Sequence, residues 1–152
     1  MDFKQLLKND FIILDGAMGT MLQAAGLEAG GIPELLNITD PELIENIHKK
    51  YIEAGSDIVY ANTFGANRYK LKNHSVDEII GAGIAIAKKA CNGKALAALD
   101  IGPIGQLLEP TGTLKFEEAY DIFKEQIIAG RDADVIVFET MTDLYAVSYT
   151  HL

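Results

Sequence analysis

Four apolar segments of the chain each end at a side chain that could bind a ligand or exchange a proton. The segments read FIILD, DIVYAN, ALAALD and VIVFE, and their last polar residues are Asp15, Asn62, Asp100 and Glu139. Parallel barrels build active sites in this way, because the carboxyl ends of successive strands meet at one face. The pattern therefore predicts a polar site rich in carboxylates at the ends of parallel strands.

Asp15 opens the segment DGAMGT, in which glycines follow directly after the first apolar run. Glycines at such a place let a ligand approach the backbone, and free amides there receive a carboxylate or a phosphate. The segment is neither GxGxxG nor a P-loop, since no Lys-Ser/Thr follows the glycines. An acid beside exposed amides suits a zwitterion, and the alternative is that Asp15 only caps the turn.

Glu139 follows four apolar residues, and a carboxylate is costly to bury there unless it finds a cation or several donors. Asp15 and Glu139 would both face the mouth of a barrel, where they could share one ammonium group or serve as a paired acid and base. Glu139 could instead hold loop backbone. Asn62, Thr63 and Asp100 could bond neighbouring loop amides or contact a ligand, and the sequence leaves both roles open.

The elements that would position these residues alternate strictly between strand and helix. Strands are predicted at 11–15, 57–63, 95–100 and 135–139. Strands that alternate with helices form a parallel sheet with right-handed crossovers. The predicted fold class is α/β, as the N-terminal half, about four βα units, of a (β/α)8 TIM barrel, for which ~250 residues are typical.

Two of the predicted helices begin at recognisable caps. Asp40 precedes Pro41 at the start of one helix, for which Gly55 is a C-terminal stop, and Ser75 opens a capping box for the next. A third helix, at about 115–129, is predicted to bury one apolar face. That face consists of Phe116, Tyr120, Phe123 and Ile127.

Composition excludes several classes of protein. The chain of 152 residues is 49% hydrophobic and 23% charged, which is typical of a globular domain. Its net charge of −9 argues against a nucleic-acid or anionic-membrane partner. No apolar run reaches the ~18 residues of a membrane span. The single cysteine, Cys91, excludes an internal disulfide and indicates a reducing compartment, so a cytoplasmic location is predicted.

The end of the sequence is predicted to be foreign to the domain. The six residues 147–152 do not continue an amphipathic helix, and they resemble translated sequencing adaptor. We therefore assign 1–146 to a partial barrel domain and 147–152 to a non-native tail, and we give His151 no functional role.

Five motifs in register carry a resemblance to a known family. The segments ILDGAMGTMLQ (13–23), ELLNITDPELIENIHKKYIEAGSDIV (34–59), ANTFGANRYKL (61–71), DIGPIGQL (100–107) and FETMTDL (138–144) resemble the homocysteine S-methyltransferase family. The branch they resemble most is the N-terminal homocysteine-binding domain of cobalamin-dependent methionine synthases. The resemblance covers residues 11 to about 146.

The resemblance implies a homocysteine site at the barrel mouth. Asp15 and Glu139 would engage the amino group, and the amides of Gly16 and Ala17 would take the carboxylate. The other residues expected to line or support the pocket are Asn62, Thr63 and Asp100. These roles agree with the charge argument made above from the residues alone.

The resemblance also implies chemistry that this chain lacks. The family holds homocysteine as a thiolate on a zinc ion bound by three cysteines, and those cysteines lie on later strands of the barrel. We therefore expect no catalytic residue and no metal ligand in this fragment, and no turnover by it alone. In the parent protein the methyl donor would be methylcobalamin, recharged from methyltetrahydrofolate by other domains. The open barrel edges predict self-association.

Three alternatives stay open at this stage. The methyl donor could instead be betaine or S-methylmethionine, since donor contacts fall mostly outside this segment. The chain could be a non-catalytic module that binds an amino acid or serves in assembly. An unrelated barrel with a phosphate-binding first loop is disfavoured, because barrel phosphate sites usually follow strands seven and eight.

Overall fold

The structure, a computed structural model, describes residues 2–28 and 30–141. The strands are β1 (Ile58–Tyr60), β2 (Leu96–Ile101) and β3 (Val135–Phe138). The helices are α1 (Phe3–Leu6), α2 (Met18–Ala24), α3 (Leu36–Thr39), α4 (Pro41–Glu53), α5 (Arg68–Leu71), α6 (Val76–Cys91) and α7 (Phe116–Ala129), with a 3₁₀ turn at Pro33–Leu35. The predicted tail lies outside the described residues.

The three strands form one parallel sheet in the order β1-β2-β3. Ile58 pairs with Leu96 between the first two strands, and Ala98 pairs with Val135 between the last two. Helix α6 connects β1 to β2 and α7 connects β2 to β3, as parallel pairing requires of a crossover. The predicted α/β class with a parallel sheet is confirmed.

The predicted strand at 11–15 is wrong as a strand. Within the described ranges only Leu14 of this segment forms a bridge, in parallel to Ile58. The segment is held by three backbone hydrogen bonds, from Asp57 and Ile58 to Ile13 O and from Asp15 to Ile58 O. It pairs on one side only and turns away at Gly16, so its pairing never extends into a regular ladder.

The remaining strands match their predicted positions, but their ends differ. β1 ends at Tyr60 rather than at residue 63, because the backbone turns there and Thr63 N–H donates to Ala61 O at 2.7 Å. Asn62 and Thr63 are therefore residues of a βα loop. A turn of this kind carries no mark in hydrophobic periodicity, which is why the sequence placed them in the strand.

The helix caps are confirmed, whereas the predicted face of the last helix is partly wrong. Asp40 caps α4 by accepting from Leu43 N–H, and Ser75 caps α6 by accepting from Glu78 N–H. Gly55 follows α4 with a φ of 108°, in the left-handed region that favours glycine. Helix α7 buries Ala119, Ile122, Phe123 and Gln126, whereas Phe116 is 51% exposed.

Side chains pack against both faces of the sheet. Because side chains alternate between the two faces along each strand, this packing determines which residues reach the site. The face toward the helices carries Val59, Ala97 and Leu99 and packs on α6 and α7 in the largest core cluster. The opposite face carries Ile58, Leu96 and Ala98, over which Leu6 of α1 packs. Because side chains alternate along a strand, this second register leads at the carboxyl ends to Tyr60, Asp100 and Glu139.

No helix within residues 2–28 and 30–141 combines the length and the apolar character that crossing a bilayer would require.

Candidate functional site

A cavity of about 280 Å³ opens at the carboxyl ends of the strands, close in size to the ~300 Å³ lower end of small-molecule sites. All seven residues predicted for the site line it, together with four others. The full lining is Asp15, Gly16, Ala17, Met18, Tyr60, Ala61, Asn62, Thr63, Phe64, Asp100 and Glu139. The structure therefore brings together residues from four separate segments. The lining contains four titratable side chains and neither lysine, arginine nor histidine.

Asp15 is held at the cavity by β1. Its backbone N–H donates to Ile58 O at 3.1 Å, and its two carboxylate oxygens accept from Tyr60 N–H at 3.1 and 3.2 Å. Burial raises the pKa of Asp15 to about 7, against the effect of these hydrogen bonds, and Glu139 adds to the rise. The Asp15 carboxyl group therefore holds the backbone at the end of β1 and also lines the cavity.

Asp100 lies deepest among the acids and is fixed through its backbone. Its N–H donates to Thr63 Oγ1 at 3.1 Å, and the same hydroxyl donates to Asp100 O at 2.9 Å. The carboxyl group is 6% exposed, and its Oδ1 has no hydrogen-bond partner among the described residues. Burial raises the pKa of Asp100 to about 8, with contributions from Glu139, Asp15 and Glu34.

Glu139 completes the acidic group from the third strand. Its N–H donates to Ile101 O at 3.1 Å, which places it directly after β3, and its side chain is half-buried. Its negative charge raises the pKa of Asp15, Asp100 and the Tyr60 phenol, so the four groups face one space. Such a space favours a cation and repels an anion.

The first loop offers free donors on one side of the cavity. The backbone N–H groups of Gly16 and Ala17 donate no hydrogen bond within the described part of the chain. Ala17 O accepts from the Tyr51 hydroxyl at 3.2 Å, and a Cβ on Gly16 would lie 2.8 Å from the Tyr51 ring. Glycine is therefore favoured at 16, because a larger residue would have to displace the Tyr51 ring of α4.

Asn62 and Thr63 line the cavity, yet their polar groups mainly hold backbone. Asn62 Nδ2 donates to Pro33 O at 2.8 Å and to Asn37 Oδ1 at 3.0 Å, which ties the long first loop to the end of β1. Asn37 returns a hydrogen bond to Asn62 O. The Thr63 hydroxyl is engaged with the Asp100 backbone. The sequence left open whether these residues hold loops or contact a ligand. The structure shows contacts for the first role, because both side chains hydrogen-bond neighbouring backbone.

Two residues of the site escaped the sequence analysis. Tyr60 is the last residue of β1, and the alternation from Ile58 could have placed it on the side of the acids. Glu34 is 5% exposed, and its Oε1 accepts from Gly65 N–H at 2.6 Å. It also lines an adjoining cavity of about 260 Å³ with Asp100, Phe64 and Glu139. Glu34 opens one of the five motifs quoted above, yet no local pattern assigns it to the site, because its partner is 31 residues away.

A metal centre has no ligand set in the described part of the chain. No group of three His, Cys, Asp or Glu side chains there has a geometry that could hold a metal ion. Cys91 ends α6, at the opposite end of the sheet from the cavity, and burial raises its pKa to about 11. A buried thiol with a raised pKa is a poor zinc ligand, since zinc binds the thiolate.

Comparison with known proteins identifies the family. The homocysteine S-methyltransferase family matches residues 12–150. The chain is 35% identical to methionine synthase from Mycobacterium tuberculosis and 33% identical to that from Mycobacterium leprae, over 94% of this chain and 13% of each relative. It thus spans only about an eighth of the length of these relatives.

A solved structure shows the same fold. The homocysteine methyltransferase MmuM from Escherichia coli, in its metallated form, superposes with a TM-score of 0.83 and 22% identity over 96% of this chain and 59% of that one. Its oxidised form gives a TM-score of 0.82. At this identity the likeness concerns the fold, while the match over residues 12–150 establishes the family. The chain belongs to the homocysteine S-methyltransferase family.

Proposed function

We propose that the cavity binds homocysteine as a zwitterion. The ammonium group lies between Asp15 and Glu139, with Asp100 beneath, and the carboxylate receives the N–H groups of Gly16 and Ala17. The observation that carries this proposal is a lining with several carboxylates, no cationic side chain and two free amides on one edge. Asn62 and Thr63 support the site by holding the loops around it.

The activity of the whole protein is part of the same proposal. The methionine synthases that this chain matches extend far beyond it. We infer that the parent methylates homocysteine to methionine, with methylcobalamin as donor and methyltetrahydrofolate as its source, through segments other than this one. Betaine or S-methylmethionine as donor would leave the binding of homocysteine here unchanged.

In this proposal the zinc ion is bound by other segments of the parent protein and not by the described residues. The lone cysteine is buried at the wrong end of the sheet, so no catalytic step is assigned to a metal held by this segment. Activation of the thiol and transfer of the methyl group would need ligands from elsewhere in the parent. The role proposed for this chain is to bind and orient the amino-acid part of the substrate.

The larger architecture is proposed on the same grounds. The segment would form about half of a (β/α)8 barrel in a domain spanning 1–146, with residues 147–152 foreign to it. Exposed apolar side chains at both edges of the sheet are evidence for an incomplete barrel, and they also favour self-association. A cytoplasmic location is supported by the unpaired, buried thiol of Cys91.

Calorimetric titration of the purified chain with L-homocysteine under reducing conditions tests the proposed binding. A charge-assisted hydrogen bond contributes about 1.5–3 kcal/mol, so we expect Asp15→Asn and Glu139→Gln each to weaken binding by tenfold or more. N-acetylhomocysteine, which has no ammonium group, should not bind. The matched control is Asp121→Asn on the exposed side of α7. Equal binding of the acetylated compound would contradict the proposal.

A further inference from the structure

Asp100 has a feature that the other acids of the cavity lack. Both oxygens of Asp15 accept from Tyr60 N–H, and Glu34 Oε1 accepts from Gly65 N–H. Asp100 Oδ1 is buried and has no partner among the described residues. An unpaired buried polar atom costs about 1–3 kcal/mol. Unlike the unpaired atoms of His48 and Gln126, this oxygen belongs to a residue that lines a cavity, where a ligand can supply the missing partner.

The position of Asp100 is fixed tightly enough for binding. Thr63 Oγ1 bonds both its N–H and its carbonyl oxygen, at 3.1 and 2.9 Å, and Thr63 is itself fully buried. Both cavities at the strand ends include Asp100 in their lining. Asp100 therefore borders both cavities, and its backbone is held by the Thr63 hydroxyl.

The groups that face Asp100 come from every surrounding element. Asp15 approaches from the first segment, Tyr60 from β1, Glu34 from the 3₁₀ turn and Glu139 from the end of β3. A cation of the adjoining helix α5, Lys70, lies over the Phe64 ring at 5.2 Å from its centroid. Within the described ranges Lys70 forms no ion pair with these acids.

Three carboxyl groups, those of Asp15, Asp100 and Glu139, line one small cavity, and their mutual repulsion disfavours the fully ionised state when no cation compensates it. A buried oxygen without a donor favours protonation more than one that accepts from a backbone N–H, so an empty cavity retains a proton on Asp100 in preference to Asp15. Burial raises the pKa of Asp100 to about 8 and that of Asp15 to about 7, in agreement with this order.

We propose that Asp100 is a ligand-binding residue that exchanges a proton for the ammonium group of a bound amino acid. In the empty cavity the Asp100 carboxyl group is protonated. When the ligand enters, its ammonium N–H donates to Asp100 Oδ1 and the carboxyl proton leaves to solvent, so the positive charge of the ammonium group replaces that of the proton beside the acids. This inference rests on the proposed binding of an amino acid and adds the coupling of that binding to proton release.

Titration with L-methionine tests the coupling, because this thioether amino acid has no thiol that titrates in the same range. The heat is measured for the full chain at pH 7 in buffers that differ in ionisation enthalpy, which gives the number of protons released. We expect release of between about one half and one proton per ligand, and an affinity that rises from pH 6 to 8 by up to about tenfold per unit.

Asp100→Asn should lose more than half of the released protons and flatten the pH dependence of affinity, since Asp15 alone then contributes. Asp121→Asn should match the wild type in both measurements. Binding of methionine with no proton release, or unchanged release in Asp100→Asn, would overturn the exchange while leaving amino-acid binding intact. If neither methionine nor homocysteine binds, the proposed function fails and the exchange with it. Should Asp100→Asn not fold, a flat pH dependence in the wild type is sufficient to overturn the exchange.

Discussion

At the scale of single residues, burial outweighs hydrogen bonding in its effect on the pKa of Asp15 and of Asp100. Asp15 accepts from a backbone N–H with both oxygens, yet its pKa is raised to about 7. Asp100, which is less exposed and has an unpaired oxygen, has a pKa raised to about 8. These groups are stable in the fold as neutral acids, and their ionisation opposes folding.

The raised pKa of Asp100 predicts that the stability of the fold falls as the pH rises from about 4 to about 8. A group whose folded-state pKa exceeds its unfolded value stabilises fully below the unfolded value, near 4, and that stability is lost as the pH rises through about 8. Asp100→Asn removes the ionisation. We expect its Tm to exceed that of the wild type at pH 8.5, by roughly 2–4 °C for each kcal/mol regained, and the gain to be much smaller at pH 5, close to the unfolded value.

Thermal unfolding followed by circular dichroism at the two pH values measures this difference. Asp121→Asn is the control, because Asp121 is exposed on α7. A Tm gain at pH 5 as large as that at pH 8.5 would show that the effect arises from packing and not from ionisation.

His48 sets the corresponding limit in acid. It is fully buried in α4, and neither ring nitrogen has a partner among the described residues, so burial lowers its pKa to about 4. Stability is full above the unfolded pKa of about 6.5 and is lost as the pH falls through about 4. We expect His48→Leu to flatten the loss of Tm between pH 6.5 and 4, whereas His74→Leu on the surface leaves it unchanged. The same slope in both variants would contradict this assignment.

At the scale of elements, the site depends on how α6 passes beneath the strand ends. Asn37 Nδ2 donates to Ile79 O in α6 and to Asn62 O after β1, so one side chain joins the first loop, the helix and the sheet. A Cβ on Gly83 of α6 would lie 2.7 Å from that Nδ2 and 3.1 Å from Thr63 Cγ2. The helix comes this close only because residue 83 has no side chain.

Two glycines of α6 provide a matched test of this contact. Glycine to alanine inside a helix ordinarily stabilises by up to about 1 kcal/mol. Gly81 has no atom within 4 Å of an added Cβ, so Gly81→Ala should raise the free energy of unfolding. Gly83→Ala should lower it by roughly 1–3 kcal/mol, because the Asn37 amide is displaced from buried partners. Urea unfolding gives both values, and an equal gain in the two variants would refute the role assigned to Gly83.

At the scale of the whole molecule, apolar side chains are exposed at both edges of the sheet. Phe11 is 82% exposed and Ile13 54% on the edge beside β1, and Ile136 is 43% exposed on β3. Unpaired strand edges with apolar side chains are templates for association. The same edges are where further strands of a complete barrel would pack.

We therefore expect the purified chain to self-associate through these edges. Light scattering should give a mass above that of the monomer, and Phe11→Lys combined with Ile136→Lys should shift the mass toward the monomer. Leu107→Lys is the control, since Leu107 is 55% exposed in the loop between β2 and α7 and lies on neither edge. A wild-type chain that is monomeric at all concentrations tested would contradict the expectation.

Local sequence signals, namely helix caps and apolar periodicity, determined much of the fold of this protein. The alternation of apolar runs and capped helices predicts the α/β class, because caps and periodicity act over a few residues. The position of a polar residue at the end of each predicted strand likewise predicts which side chains meet at one end of a parallel sheet. The same local signals failed where contacts decide the outcome, as at Phe116 and in the segment 11–15, where pairing on one side leaves a single bridge.

Only the tertiary structure decided what each residue at the cavity does. The Thr63 hydroxyl donates to the backbone of Asp100, 37 residues away in the sequence. The Asn62 amide donates to the first loop, 25 to 29 residues away. Glycine is favoured at 16 because of the Tyr51 ring, and Glu34 is held at the site by its hydrogen bond from Gly65 N–H. The free oxygen of Asp100 is likewise invisible in sequence, because whether a buried atom has a partner depends on every element packed around it.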